Sequence, residues 1–271
     1  MRGRLRSRIK VWFAVPLALA TVGALVVAGI ALAAASSTAS FSFLCSGRTV
    51  PNTCPQSTYT KGKLLVHTHT NYTNPGSSAD QLKRIQIFFD NDFRFDPSVA
   101  PTCDPSQLGG KDMHDAMATC GPSLIGTGRA QAVTASTTIN ACMLLFNGPD
   151  DANGDPTIDL YFRASLTNPS TITCGDPASN HQGSTTIVRI GTLRTTPLGD
   201  YRRELDIPNL HTITLPISDL NFNLQGKYPL TSDYAQARCF DADHVWNVSS
   251  FFTYNNNTTQ TVNSTRSCTV G

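Results

Sequence analysis

The feature that most restricts this fold is the division between a cysteine-free apolar head and a body that holds all eight cysteines. Arg2, Arg4, Arg6, Arg8 and Lys10 precede an uncharged, mostly apolar run over residues 11–35, which closes with three alanines before Ser36. A basic head, an apolar middle and small residues before a polar stretch read as an export signal. An exported chain with an even cysteine count is expected to pair its thiols in an oxidising compartment. The body must therefore fold so that its cysteines meet.

The apolar run spans 25 residues. Signal-peptide cores usually span about 7–15, and crossing a bilayer takes about 20. Residues 1–36 thus read as a signal peptide or as a signal anchor left in the membrane through residues 11–35. Either way the basic end stays cytoplasmic and the body lies on the other side. The body divides into a Ser/Thr/Pro-rich leader, 37–60, and one domain, 61–271.

Five of the 21 basic residues sit in the head, leaving 16 basic against 19 acidic residues and a net charge of −3 for the remainder. Nucleic-acid binding calls for a basic stripe, and the body has none. Among the acidic residues Glu204 is the lone glutamate, and the other 18 are aspartates. Aspartate disfavours helix interiors and favours turns and caps. That balance predicts short strands joined by turns.

Alternating patterns recur over 63–70, 83–90, 124–133, 139–146, 158–163, 185–193, 212–215, 234–240, 244–253 and 258–268. Ile85, Ile87 and Phe89 share a face of the second run. One helix is expected over 111–119, with Met113, Ala116, Met117 and Cys120 at helical spacing. The expected fold is all-β: a disulfide-stabilised antiparallel β-sandwich with one short helical insertion. A simple hairpin over 63–90, turning near residue 78, would set Asp90 beside Val66.

Eight cysteines allow on the order of a hundred pairings. Cys45 with Cys54 and Cys103 with Cys120 are close in sequence, the latter bracketing the helix. Cys239 and Cys268 fall on the last expected strands, which leaves Cys142 with Cys174. Zinc binding by close-spaced cysteines needs a C-x-x-C type of spacing, which the chain lacks.

Candidate chemistry is sparse. His67 and His69 share a strand face about 6.6–7 Å apart and could give two metal ligands, or simply mark an exposed face. Asp90, Asp92 and Asp96 form the densest carboxylate group, but glycosidase acids straddle a cleft from separate elements. Asp150, Asp151, Asn153, Asp155 and Asp159 resemble a calcium loop. The glycine is misplaced and the closing glutamate missing for an EF-hand, and a polar turn explains the same residues. The stretch 121–128 fits neither G-x-S-x-G nor a phosphate loop; its glycines read as a bulge or a close approach between strands.

The strings His67-Thr-His-Thr-Asn-Tyr-Thr-Asn-Pro75, Phe88-Phe-Asp-Asn-Asp-Phe-Arg-Phe95, Pro101-Thr-Cys-Asp-Pro-Ser-Gln-Leu108 and Cys120-Gly-Pro-Ser-Leu-Ile-Gly-Thr-Gly-Arg-Ala130 carry a resemblance, with Phe146-Asn-Gly148 after them. Together they resemble a family of uncharacterised exported actinobacterial proteins, over residues 61–271. The resemblance implies export, a β-rich fold, and pairing of Cys103 with Cys120 and of Cys239 with Cys268. It implies no catalytic residue.

No catalytic constellation emerges. The leading expectation is a non-enzymatic envelope or extracellular module that binds a cell-wall or surface component or a partner protein. The competing ones are a calcium-stabilised adhesion-type domain using the 150–159 loop, and a secreted hydrolase using aspartates. Stacking on polysaccharide is disfavoured, because Trp246 is the only tryptophan beyond the head.

Overall fold

A computed structural model describes residues 35–75, 77–133, 137–165, 172–212, 216–226, 231 and 233–271. The strands are β1 (Ala35–Cys45), β2 (Thr53–Cys54), β3 (Thr60–Tyr72), β4 (Leu82–Asp90), β5 (Phe93–Phe95), β6 (Leu124–Val133), β7 (Thr138–Gly148), β8 (Thr157–Ala164), β9 (Thr185–Leu198), β10 (Tyr201–Ile207), β11 (Ile217–Leu224), β12 (Ala235–Ala237), β13 (Val245–Tyr254), β14 (Thr259–Ser267) and β15 (Thr269–Val270). Helix α1 is Met113–Cys120, and the four residues expected at helical spacing are the buried ones. Asp112 caps it, Oδ1 accepting from the Asp115 amide at 2.8 Å.

Among the described residues, thirteen strands form one antiparallel sheet in the order β14-β13-β4-β10-β9-β8-β7-β6-β11-β3-β12-β5, with β1 paired to the other side of β3. The protein is thus an antiparallel β-sandwich in which a single long sheet folds over its own core. Side chains from strands far apart in that order, including Phe41, Phe43, Ile87, Phe89, Leu160, Phe222, Trp246 and Phe252, meet in one cluster. Phe93 lies at its heart, 5.3 Å from Trp246 and 5.6 Å from Phe89 between ring centres. The sheet's two ends meet through side chains. Gln260 exchanges hydrogen bonds with the backbone of Ser37 (2.7 and 2.8 Å), and Ser264 and Arg266 donate to the carbonyls of Ala39 and Phe41. The β1 edge is thereby satisfied rather than left as a template for another chain.

A second core lies on the outside of the sheet. Leu108, Met113, Ala116 and Met117 cover Leu144, Phe146 and Tyr161. Every residue of β8 is consequently buried. Cys45–Cys54 and Cys103–Cys120 form as nearness in sequence suggested, Cys239–Cys268 joins the last strands, and Cys142–Cys174 is the remaining pair. They fit an extracellular protein. Among the described residues no helix is long and apolar enough to cross a membrane, and residues 11–34 lie outside that set.

Three expectations need correction. Residues 37–60 are no detached leader: β1 pairs with β3 from Ala35 to Cys45, and Phe41 and Phe43 enter the core. Ser40 and Ser42 alternate with Phe41 and Phe43 and are only half-buried, so a real alternation read as a Ser/Thr/Pro-rich leader. Segment 63–90 forms no hairpin, because β3 pairs with β1, β11 and β12 while β4 pairs with β10 and β13. The strand expected at 212–215 is absent at Thr212, which ends a short 3-10 turn (Leu210–Thr212), and residues 213–215 lie outside the described set.

Candidate functional site

Cross-strand register builds the outer face of β1, β3, β11, β6 and β7 in rows. One row runs Ser40, His67, Asn221, Arg129, Cys142; the next runs Ser42, Leu65, Asn223, Thr127, Leu144. Gly126 and Gly128 make this pairing possible. A Cβ at either would lie 2.0 or 2.5 Å from the carbonyl oxygen of Asn223 or Asn221, so a side chain there would push β11 away. The register also slips between Leu124 and Gly126. The glycines of 121–128 thus serve a bulge and a close approach. Ser123 beside them is buried in a 3-10 turn.

These rows floor a cleft of about 550 Å³. Leu65, Thr127, Arg129, Asn221 and Asn223 form its base, and Met113, Cys174 and Pro177 form its wall. The wall is fixed by α1 and by the Cys142–Cys174 bridge, whose first half-cystine lies in the floor. Asn223 donates Nδ2 to the carbonyl and hydroxyl oxygens of Thr127 at 2.9 and 3.2 Å, while its buried Oδ1 has no partner among the described residues. Arg129 and Asn221 are exposed. An apolar strip with an exposed cation and an exposed amide beside it has the chemistry to hold a polar ligand. The sequence reading missed it, since its residues come from five elements and the loop after Cys174. The one local trace is the alternation of Leu220, Phe222 and Leu224 with Asn221 and Asn223.

His67 and His69 do share the outer face of β3, and Asp219 of β11 joins them. Asp219 Oδ2 lies 2.8 Å from His67 Nε2 and 3.4 Å from His69 Nδ1. His69 Nε2 in turn faces Asn71 Oδ1 at 3.0 Å. Both rings are engaged by their neighbours on a half-exposed face.

The five calcium candidates are not gathered. Asp151 Oδ1 accepts from the amides of Asn153 (2.8 Å) and Asp155 (3.1 Å), which holds its pKa below the usual carboxylate range. Asp155 faces Arg194 at 3.6 Å. Asp150 and Asn153 are exposed on the loop, whereas Asp159 is fully buried on β8. Among the described residues, neither carboxylate oxygen of Asp159 has a hydrogen-bond partner. Burial foremost, then the nearby charge of Asp104, raise its pKa to about 7.

Asp90 and Asp92 are structural fasteners. Asp90 Oδ1 accepts from the Asp92 amide at 3.0 Å, and Oδ2 accepts from Asn247. Burial still pushes its pKa up to about 7. Asp92 takes Arg238 Nε at 3.1 Å and the Phe240 amide at 2.9 Å. Asp96 caps a 3-10 turn through the Ser98 amide. With their oxygens spent on backbone amides and Arg238, these acids pin the segment after β12 and the start of β13. Trp246, Phe252 and Tyr254 are core residues, so none offers a stacking platform.

No protein-family model matches this chain, and no curated protein or solved structure matches it either.

Proposed function

We propose that the chain is exported and acts outside the cytoplasm as a non-enzymatic binding module, its ligand a polar component of the cell wall or surface. The observation that carries this reading is the cleft, where the exposed Arg129 and Asn221 lie beside Leu65 under a disulfide-fixed wall. The exposed Arg129 is set to donate to a ligand oxygen or anion, and the exposed Asn221 amide to donate or accept beside it. Four disulfides suit the setting, and the sequence resemblance to exported actinobacterial proteins points the same way. Asp90 and Asp92, acids that a hydrolase reading would use, are engaged in structural hydrogen bonds.

The test is co-sedimentation of the oxidised protein with purified cell walls at low and high salt. The expected result is pelleting that resists salt and is lost when Arg129→Ala and Asn221→Ala are combined. A wild-type protein that stays in the supernatant would sink the wall-binding reading.

A further inference from the structure

We propose that Asp112, His114 and His181 form a binding site for one divalent transition-metal ion of the zinc class, tying the start of α1 to the loop that follows Cys174. This inference does not depend on the cleft or on export.

The three residues come from two segments that the fold brings together. Asp112 spends Oδ1 on capping α1 and presents Oδ2 to His181 Nδ1 at 2.9 Å. His114 lies in the first turn of α1, and its ring stacks on His181 with centres 4.5 Å apart and planes 35° apart. One ligand atom from each of the three lies within 4.8 Å of the other two. Around a tetrahedral ion with bonds of about 2.0–2.1 Å, neighbouring ligands sit roughly 3.3–3.4 Å apart. The Asp112–His181 pair is already near that spacing, and half-exposed rings need only small rotations to complete it. Two imidazoles and a carboxylate suit zinc or copper(II), whereas calcium and magnesium prefer oxygen alone.

The surroundings hold the ligands in place. The His114 amide donates to the Asn180 carbonyl at 3.0 Å, which fixes helix to loop. Asn180 Nδ2 donates to the Thr173 carbonyl (2.7 Å) and its Oδ1 accepts from the Gln182 amide (2.8 Å), so the loop around His181 is braced from within. Asp115 Oδ1 lies 3.4 Å from His114 Nδ1, placed to orient that ring from behind. The nearby positive charge of Arg163 opposes a cation, but its donors are directed at the carbonyls of Lys111, Gln182 and Gly183 and at Thr186. Three protein ligands leave a fourth position open. His114 also borders a groove of about 300 Å³ with Met117, Gly121 and Pro122, from which a water or a ligand atom could reach it.

Two similar groupings lack these properties. Cys239 and Cys268 beside His244 are already joined as a disulfide. His67 and His69 both turn to one oxygen of Asp219 and do not converge as a three-way set.

The experiment titrates the oxidised full chain with Zn²⁺ by calorimetry at neutral pH. Co²⁺ absorption serves as a second readout of tetrahedral geometry. The expected result is one ion per chain, a melting temperature raised by zinc, and an intense Co²⁺ spectrum. Affinity should fall at least roughly tenfold in His114→Ala and in His181→Ala, since outer-sphere partners alone commonly cost that much. The His67→Ala/His69→Ala double variant should bind like wild type. Melting each variant in chelator confirms that it folds. Absence of saturable binding overturns the proposal, as does zinc binding that survives loss of both His114 and His181.

Discussion

Across β7 and β8 the outer face of the sheet is sealed under α1 and the Cys103–Cys120 segment, whereas across β1, β3 and β11 the same face stands bare. The backbone alternation is identical in both places. Under the cover, outward residues are Phe146, Asp159, Tyr161 and Arg163, all buried. On the bare side they are Ser40, Leu65, His67, His69, Asp219 and Asn221, which reach solvent to different degrees. The comparison shows that cover, not strand pattern, sets what each outward residue must satisfy. Arg163 meets that demand with four acceptors; Asp159 does not.

The sharpest break would come from the covered face. Phe146→Ala should cost about 3–5 kcal/mol, the range for emptying a buried aromatic site, because Phe146 is fully enclosed. Denaturant unfolding under oxidising conditions measures it. Leu65→Ala, on the bare face, is the paired control and should stay within about 1 kcal/mol. Similar losses in the two variants would erase the distinction.

Asp159 comes next, and its effect is pH-dependent. Its folded pKa of about 7 lies above the ordinary 3.8. Between those values the folded state holds a proton that the unfolded chain has lost, so stability is greatest at acid pH and declines as pH rises toward 7. The slope is at most about 1.4 kcal/mol per pH unit, up to about 4 kcal/mol in all by the same relation. Asp159→Asn should flatten this decline and make the protein more stable than wild type at pH 8. An unchanged pH profile would show that Asp159 ionises as freely as an exposed acid.

Removing the clasp of the cover follows. Cys103→Ser with Cys120→Ser opens a loop with sequence separation 17, worth about 3 kcal/mol by chain entropy. Protease cleavage within 97–123 should appear before the rest of the fold yields. Simultaneous loss of β1 and β14 would mean the cover is not a separable layer.

How far the sequence reached depends on which face a strand shows. In β4 and β6 the alternation is plain because inward apolar and outward polar residues take turns, and both were read to within a residue. Helix α1 was equally legible from Met113, Ala116, Met117 and Cys120. Strand β10 was hidden by Arg202, Arg203, Glu204 and Asp206. Glu204 and Asp206 find their partners on neighbouring strands, Glu204 accepting from Gln86 and Asp206 binding Arg84 and Arg194, and only Leu205 and Ile207 betray the core face. Strand β11 was not among the expected strands, Asn221 and Asn223 between Leu220, Phe222 and Leu224 being residues that favour turns. His67 and His69 were placed correctly on one face, but Asp219 lies 150 residues from His69 and no local spacing announces it. Likewise the distance of 69 residues between Asp112 and His181 concealed that pair.

The smallest effect belongs to the bare face itself. His67 and His69 keep 46% and 42% of their side-chain surface and share Asp219, and exposed ion pairs contribute about 0–1 kcal/mol. Asp219→Asn should therefore change unfolding free energy by less than about 1 kcal/mol, measured at low salt where such contacts weigh most. A loss near that of Phe146→Ala would mean that this surface is covered in solution and belongs with β7 and β8. A negligible change has the more useful consequence. Residues that the fold does not need, Arg129 and Asn221 included, can then be altered without unfolding the protein, so a loss of wall binding in those variants reports on the ligand and not on the scaffold.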